Sequence, residues 1–156
     1  MKKLLFLLPL LAIMSCDKNN PNDAHFNSNG CLECDNYTAG ESFILDGATY
    51  IVVNRTMLDN VIDYGEDLNR YCTSRIGDMS NLFQFHPDFN EDVSLWDVSN
   101  VITMESMFHS NGEFNQDIGN WDVSNVTNMV YMFSTANSFN QDISSWDVSN
   151  VTNMQG

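Results

Sequence analysis

The apolar positions in the C-terminal half of the chain return every 25 residues. The sequence WDVSNV begins at Trp96, again at Trp121 and again at Trp146. Dividing the chain at the phenylalanine ahead of each copy gives a first, a second and an incomplete third unit, at 89–113, 114–138 and 139–156. The first two units agree at 12 of 25 positions. A repeat of this size predicts a solenoid, because one unit cannot bury its own apolar side chains and must stack on its copies.

Within a unit the apolar spacing changes from two residues to three or four. Trp121 and Val123 alternate with polar neighbours, which predicts a short half-buried strand. Met129, Met132 and Phe133 follow at the spacing of a helix stripe. Each unit is therefore expected to form an extended segment, a turn and about two helical turns. The methionine and aromatic columns are interpreted as core rather than as a ligand pocket.

A degenerate unit precedes the regular ones, at 64–88. Tyr64 takes the place of the phenylalanine, and Tyr71 takes the place of the tryptophan. Ile76, Met79 and Phe83 occupy further apolar positions of the frame. Because the end repeats of a solenoid are commonly atypical, the array is expected to begin here.

Residues 37–63 are expected to form a small N-terminal cap on this array. Two apolar segments flank Asp46 and Gly47, a dipeptide typical of two-residue hairpin turns. Thr56 with Asp59 then predicts the start of a short helix. A separate binding domain is the alternative, although about 35 residues is marginal for independent stability.

The N-terminus has the pattern of an export signal. Lys2 and Lys3 precede an apolar run of 11 residues at 4–14, which is too short to span a membrane, since a transmembrane helix needs about 20 residues. Residues 1–15 are therefore assigned to a signal peptide. Residues 16–36 are rich in Asn and broken by Pro21, so they are expected to form a flexible tether.

The end of the signal segment resembles the lipobox of bacterial lipoproteins. Ile13, Met14 and Ser15 lead directly to Cys16. The resemblance implies cleavage before Cys16 and a diacylglycerol on its thiol, which would anchor the chain in the bacterial cell envelope, with the outer membrane and surface exposure expected. An ordinary signal peptide that happens to contain a cysteine is the alternative.

The repeat itself resembles the 25-residue repeats of BspA-type leucine-rich-repeat surface proteins of bacteria. The matching pattern is F-N-x-D-[IV]-x-x-W-D-V-S-N-V-x-x-M-x-x-M-F, which covers 89–156 closely and 64–88 loosely. Residues 47–83 are also similar to the segment that precedes such arrays. The resemblance implies an α/β, leucine-rich-repeat-like, right-handed solenoid with short strands and helices, an extracellular setting and, for some members, binding to proteins of other cells.

Three further cysteines are candidates for a disulfide: Cys31, Cys34 and Cys72. Outside the cytoplasm a structural disulfide is the favoured interpretation. A zinc site completed by His25 or His86 lacks a recognisable spacing, and a redox-active pair would rest on one C-x-x-C alone. The pairing is open: either Cys31 or Cys34 could bind Cys72.

Composition excludes several functions. The net charge of −15 argues against nucleic acid or anionic lipid as a partner, because both select for clustered Lys and Arg. His25, His86 and His109 are far apart, and no hydrolase, zincin or phosphate-loop motif is present. The chain is therefore expected to be neither an enzyme nor a cofactor binder.

Stacked units would align six aspartates in two columns, which are Asp92, Asp117 and Asp142, and Asp97, Asp122 and Asp147. Like charges about 5 Å apart repel unless something compensates them. Backbone N–H groups in Asx turns would do so. Bound Ca²⁺ is the second interpretation, although the glycine-rich calcium coil is absent.

Two function classes follow from the sequence. The first is a lipid-anchored surface module whose solenoid binds an extracellular protein or glycan in the manner of an adhesin. The second is a structural spacer, or a truncated piece of a longer array, because the third unit stops before its helix is complete. In either case, self-association through an open repeat end is expected, since uncovered edges invite pairing.

Overall fold

The computed structural model describes the backbone of Met14–Ser15 and residues 23–156. The predicted lipid attachment at Cys16 and nearly all of the predicted signal peptide lie outside these described residues.

Besides a small two-stranded sheet of β2 (His25–Phe26) and β3 (Leu32–Glu33), the N-terminal part contains a four-stranded sheet. Its strands are β1 (Met14–Ser15), β4 (Ser42–Leu45), β5 (Ala48–Val52) and β6 (Tyr71–Cys72). The β4–β5 hairpin is antiparallel, as predicted, whereas β1 joins β4 and β6 joins β5 in parallel. Asp46 and Gly47 have φ values of 52° and 80°, which a two-residue turn of this kind requires.

Helix α1 (Arg55–Asp63) follows the hairpin, also as predicted. It begins one residue before Thr56, because Asn54 is the N-cap and its side chain accepts a hydrogen bond from the Met57 N–H at 3.0 Å. Leu58 and Ile62 are buried in the same core cluster as the repeats. A 3₁₀ turn (Leu68–Arg70) then leads into β6. Helix α1 thus shares the hydrophobic core of the repeats, whereas the hairpin residues Phe43, Leu45, Tyr50 and Val52 pack in a second cluster.

The repeat units stack in register through their backbones. Parallel bridges link equivalent positions of four successive units: Asp78, Thr103, Asn128 and Asn153. Next to these bridges, Met104, Ser106 and Phe108 each donate a backbone N–H to a carbonyl of the following unit, at 2.8–2.9 Å. We call the surface made by these bridge residues and the exposed residues next to them, Ile102, Glu105 and Tyr131, the bridge face. It runs along all four units.

The two helical turns expected in each unit are replaced by a chain of hydrogen-bonded turns. In the second unit, residues 130–135 form turns, and Tyr131 and Thr135 have φ values of 55° and 59°. A right-handed helix requires negative φ at consecutive residues, so left-handed residues at this spacing prevent it. The backbone N–H groups instead donate to the next unit. The apolar spacing therefore correctly predicts a buried face, but the prediction of a helix is wrong.

The core consists of aromatic side chains that stack from unit to unit. Phe83, Phe108 and Phe133 form one column, with ring centroids 5.3 and 5.6 Å apart. Trp121 is 3% exposed, and its Nε1–H donates to the Val93 carbonyl of the preceding unit at 3.2 Å. The other two tryptophans donate to the equivalent carbonyls. The predicted core columns are confirmed.

Tyr64 does not take the place of the repeat phenylalanine. It ends helix α1 and is 65% exposed, whereas Phe114 is fully buried. Tyr71 and Ile76 are buried at the positions expected of them. The degenerate unit therefore joins the stacking only after α1 has ended, since its first residue, Tyr64, caps the helix.

Residues 23–36 are folded, so the predicted flexible tether is wrong for this part of the chain. Strands β2 (His25–Phe26) and β3 (Leu32–Glu33) form a small antiparallel sheet. Leu32 is 1% exposed, and its N–H donates to the Leu95 carbonyl at 2.8 Å. The segment is polar in overall composition, but the buried side chains of Cys31, Leu32 and Cys34 hold it against the repeats. We call residues 23–36 the strap.

Candidate functional site

The strap crosses one edge of three successive units. Hydrogen bonds tie it to each of them, including Cys34 N–H to Ser74 Oγ at 3.2 Å, Leu32 N–H to the Leu95 carbonyl at 2.8 Å, and Asn120 Nδ2 to the Asn29 carbonyl at 3.2 Å. A disulfide between Cys34 and Cys72 fixes its end. Of the pairings that the sequence left open, the structure contains this one.

Cys31 is the unpaired cysteine within the described residues, and it is buried. Asn120 Nδ2 lies 3.4 Å from its sulfur. Burial, together with the charges of Asp97 and Asp122, raises the pKa of the Cys31 thiol to about 12. The thiol is therefore protonated at neutral pH and is a poor nucleophile. The C-x-x-C segment has its two cysteines in different environments, not in a shared redox pair.

The two aspartate columns form Asx turns. Each of the six carboxylates accepts a hydrogen bond from the backbone N–H two residues later, at 2.9–3.0 Å. Hydrogen bonds from the backbone and side chain of Ser144 lower the pKa of Asp142, and Ser149 does the same for Asp147. The backbone N–H groups thus offset the repulsion between the carboxylates of each column. In residues 14–15 and 23–156, no three His, Cys, Asp or Glu side chains are grouped closely enough to hold a metal ion.

Asp97 differs from the other five aspartates because the strap covers it. It is 2% exposed, and its Oδ2 finds no hydrogen-bond partner within the described residues, whereas Ser99 N–H donates to Oδ1. Burial raises the pKa of Asp97, the charges of Asp35 and Asp122 raise it further, and the bonds from Ser99 oppose the shift. The folded protein is therefore more stable when Asp97 is protonated than when it is ionised.

Asp97→Asn is expected to stabilise the protein at neutral pH by about 1 kcal/mol, because an unsatisfied buried anion becomes a neutral amide. The pKa of Asp97 is higher in the folded chain than in the unfolded chain. Ionisation of Asp97 therefore lowers the free energy of unfolding once the pH rises above the unfolded-state pKa. The gain should therefore be largest at pH 7 and should vanish near pH 3. Thermal melts at both values measure it. Asp147→Asn, at the same position two units later where the carboxylate is exposed, is the control; an equal gain there would contradict the burial argument.

The three histidines do not form a common site. His25 Nε2 lies 3.4 Å from Glu33, His86 Nε2 lies 3.4 Å from Asp63, and the His109 ring faces Tyr131 at 6.3 Å. Each belongs to a different part of the molecule, as their spacing in the sequence indicated.

The bridge face carries two exposed apolar side chains among polar ones. Ile102 is 50% exposed and Tyr131 is 41% exposed. The equivalents of Tyr131 in the two preceding units are Asn81 and Ser106, and all three residues have left-handed φ, from 54° to 59°. A bulky aromatic in this conformation is unusual, since asparagine and small polar residues adopt it more readily. Sequence reasoning missed both residues, although aligning the units would have shown apolar side chains where the copies are polar.

A groove with a volume of about 330 Å³ lies between the end of α1 and residues 85–91. We call it the acidic groove. Ile62, Leu68 and Phe89 supply apolar lining, and Phe85 at its rim is 82% exposed. Sequence reasoning missed this feature as well. The signal was again a departure from the repeat, because the residues that correspond to Phe85 are Ser110 and Thr135.

A second groove, of about 460 Å³, lies on the outer side of the third unit. Phe133, Trp146 and also Tyr131 line it, so the bridge face reaches this groove at Tyr131. Val148 and Met154 in the same lining are 39% and 56% exposed. This is the repeat end at which self-association was expected.

The stacked units, the shared aromatic core and the disulfide-pinned strap define a repeat protein whose surface, rather than an enclosed pocket, carries its distinguishing side chains. The chain belongs to the family described as Mycoplasma protein of unknown function, DUF285, whose model matches residues 54–156. A comparison with curated proteins finds no match, and a comparison with solved structures finds none either.

The part of the chain that the structure describes has no helix long and apolar enough to cross a membrane.

Proposed function

We propose that the protein is a lipid-anchored bacterial surface protein whose repeats, of BspA type, form a leucine-rich-repeat-like solenoid that binds an extracellular protein or glycan. Cys16 would carry the diacylglycerol, and the strap and cap would hold the array beyond it. The observation that carries the binding role is the pair of exposed apolar side chains on the bridge face, Ile102 and Tyr131.

The backbone of Tyr131 supports a binding role for its side chain. A left-handed residue with a bulky side chain costs about 1 kcal/mol relative to a residue that tolerates this conformation. Packing does not compensate for this cost in full, because the side chain is 41% exposed. A strained and exposed aromatic is typical of a residue retained for recognition.

The net charge and the polar composition of the bridge face support a partner that is not an acidic polymer. Glu105 and Asn128 belong to the same face, and Asn128 Nδ2 donates a hydrogen bond to Glu105 Oε2 at 2.9 Å. Amide and carboxylate groups around an aromatic side chain can bind sugar hydroxyls or peptide groups equally well. The proposal therefore names both classes.

One set of variants expressed in a lipoprotein-processing bacterium tests anchoring and binding together. Labelled fatty acid should enter the wild-type protein and not Cys16→Ala. Intact cells should bind at least one member of a panel of immobilised glycans and extracellular-matrix proteins. Tyr131→Asn, which introduces the residue of the equivalent position 81, should reduce that binding at least tenfold while stabilising the fold by about 1 kcal/mol.

Tyr64→Ser is the matched control, since it removes a tyrosine that is even more exposed, at 65% against 41%, from the end of helix α1. Its binding should equal that of the wild type. Fatty acid labelling of Cys16→Ala would refute the anchor. Unchanged binding by Tyr131→Asn, or no binding to any panel member, would favour the alternative that the array is a non-binding spacer or part of a longer surface protein.

A further inference from the structure

We propose that the acidic groove binds a cationic peptide segment that carries one aromatic or aliphatic side chain between its Lys or Arg residues. The inference rests on the proposed function only in assuming that this protein binds partners, and it concerns a different surface from the bridge face.

The charge around the groove is of one sign. Glu66, Asp88 and Glu91 are exposed and line it, and Asp63 adds a fourth carboxylate 3.4 Å from His86 Nε2. The ten described residues that line the groove include no Lys or Arg. Clustered carboxylates attract a positively charged ligand and accelerate its association.

Among the acidic residues, the groove also has apolar lining. Leu68 and Phe89 form its lower wall, and Phe85 stands at the rim with 82% of its surface exposed. An apolar side chain of the peptide would enter between them, while a flanking Lys or Arg would lie over the Phe85 ring, whose face attracts cations. A groove that combines these walls with a carboxylate rim matches a segment with alternating basic and apolar side chains.

The repeat provides an internal comparison for Phe85. The residues at its position in the next two units, Ser110 and Thr135, are polar and exposed. Their φ values are 60° and 59°, whereas φ of Phe85 is not positive. The degenerate unit thus departs from the others in both side chain and backbone at the point that forms the rim. Packing does not account for the departure, because the ring is almost fully exposed.

The test measures fluorescence anisotropy of dye-labelled KGKFKGK with the full chain at 20 and 300 mM salt. Phe85→Ser, which introduces the residue of position 110, should weaken binding at least tenfold, and so should the double change Asp88→Asn with Glu91→Gln. Glu113→Gln, a charge change at the position equivalent to Asp88, should leave the affinity within twofold. Because Phe85 is exposed, its variant should keep the wild-type circular dichroism spectrum.

Several results would overturn the proposal: no binding of KGKFKGK at low salt, equal binding of the peptide KGKGKGK that lacks the aromatic, or unchanged affinity of Phe85→Ser. Equal loss with Glu113→Gln would indicate diffuse attraction to the acidic surface and would also overturn it. Loss with Ile102→Thr in place of Phe85→Ser would place the peptide on the bridge face, which would support the proposed function and reject the groove.

Discussion

Trp121→Ala is expected to unfold the repeat array or to lower its free energy of unfolding by about 3–5 kcal/mol. The indole is 3% exposed and lies between the first and third units. Its loss leaves a cavity in the middle of the shared core and removes the bond from Nε1–H to the Val93 carbonyl at 3.2 Å, although that carbonyl keeps the Trp96 N–H as its other donor. Because small domains are stable by only about 5–15 kcal/mol, the far-ultraviolet circular dichroism signal and the urea midpoint should both change.

Trp146→Ala is the matched control for this experiment. Trp146 makes the same Nε1–H bond, to the Ile118 carbonyl at 3.1 Å, but it is only half-buried in the third unit. The hydrogen bond lost is therefore the same, while the apolar surface lost is smaller, and the urea midpoint should fall less. Equal midpoints for the two variants would show that the array does not behave as one stacked core.

The repeat frame could be predicted from the sequence because stacking imposes the same environment on equivalent residues. A side chain at the position of Trp121 meets the same neighbours in every unit, so its identity recurs at each repeat, and the recurrence is visible without any structure. The hairpin could be predicted for a different reason, since Asp46 and Gly47 tolerate the positive φ that its turn requires.

The path of the backbone within a unit could not be predicted. A spacing of three and four apolar residues fits a helix, but it equally fits a chain of turns whose N–H groups donate to the next unit. What decides between them is the left-handed conformation at Ser106 and Tyr131, and neither residue type signals it. A local pattern does not show where the backbone hydrogen bonds go when their partners lie 24 residues away.

The candidate site shows the same division between repeating and single features. The aspartate columns were visible as repeats, and their Asx turns follow from the residue two positions later. The burial of Asp97 was not visible, because it depends on the strap, a segment whose composition is typical of a tether. In the sequence, Phe85 and Tyr131 differ from the polar residues at equivalent positions of the other units. Only the structure shows that both side chains are exposed and therefore available for binding.

Removing the disulfide with Cys34→Ser and Cys72→Ser together is expected to lower the free energy of unfolding by about 4 kcal/mol, the chain-entropy value for a loop closed over 38 residues. The bond joins the strap to the degenerate unit, and both cysteines are buried, at 1% and 0% exposure. Without it the strap keeps only its hydrogen bonds and the packing of Leu32. Urea titrations of the oxidised wild type and the double variant measure the difference.

The same variant should change the chemistry beneath the strap. Native Cys31 is buried with a pKa raised to about 12 by burial and by Asp97 and Asp122, so alkylating reagents should not modify it at neutral pH. Once the strap detaches, Cys31 should react, and the stabilising effect of Asp97→Asn should shrink because that carboxylate is hydrated again. Cys31→Ser alone is the control and should cost little, since a hydroxyl still accepts the bond from Asn120. If Cys31→Ser were the destabilising change and Cys34 the alkylated residue, the pairing with Cys72 would be the other one.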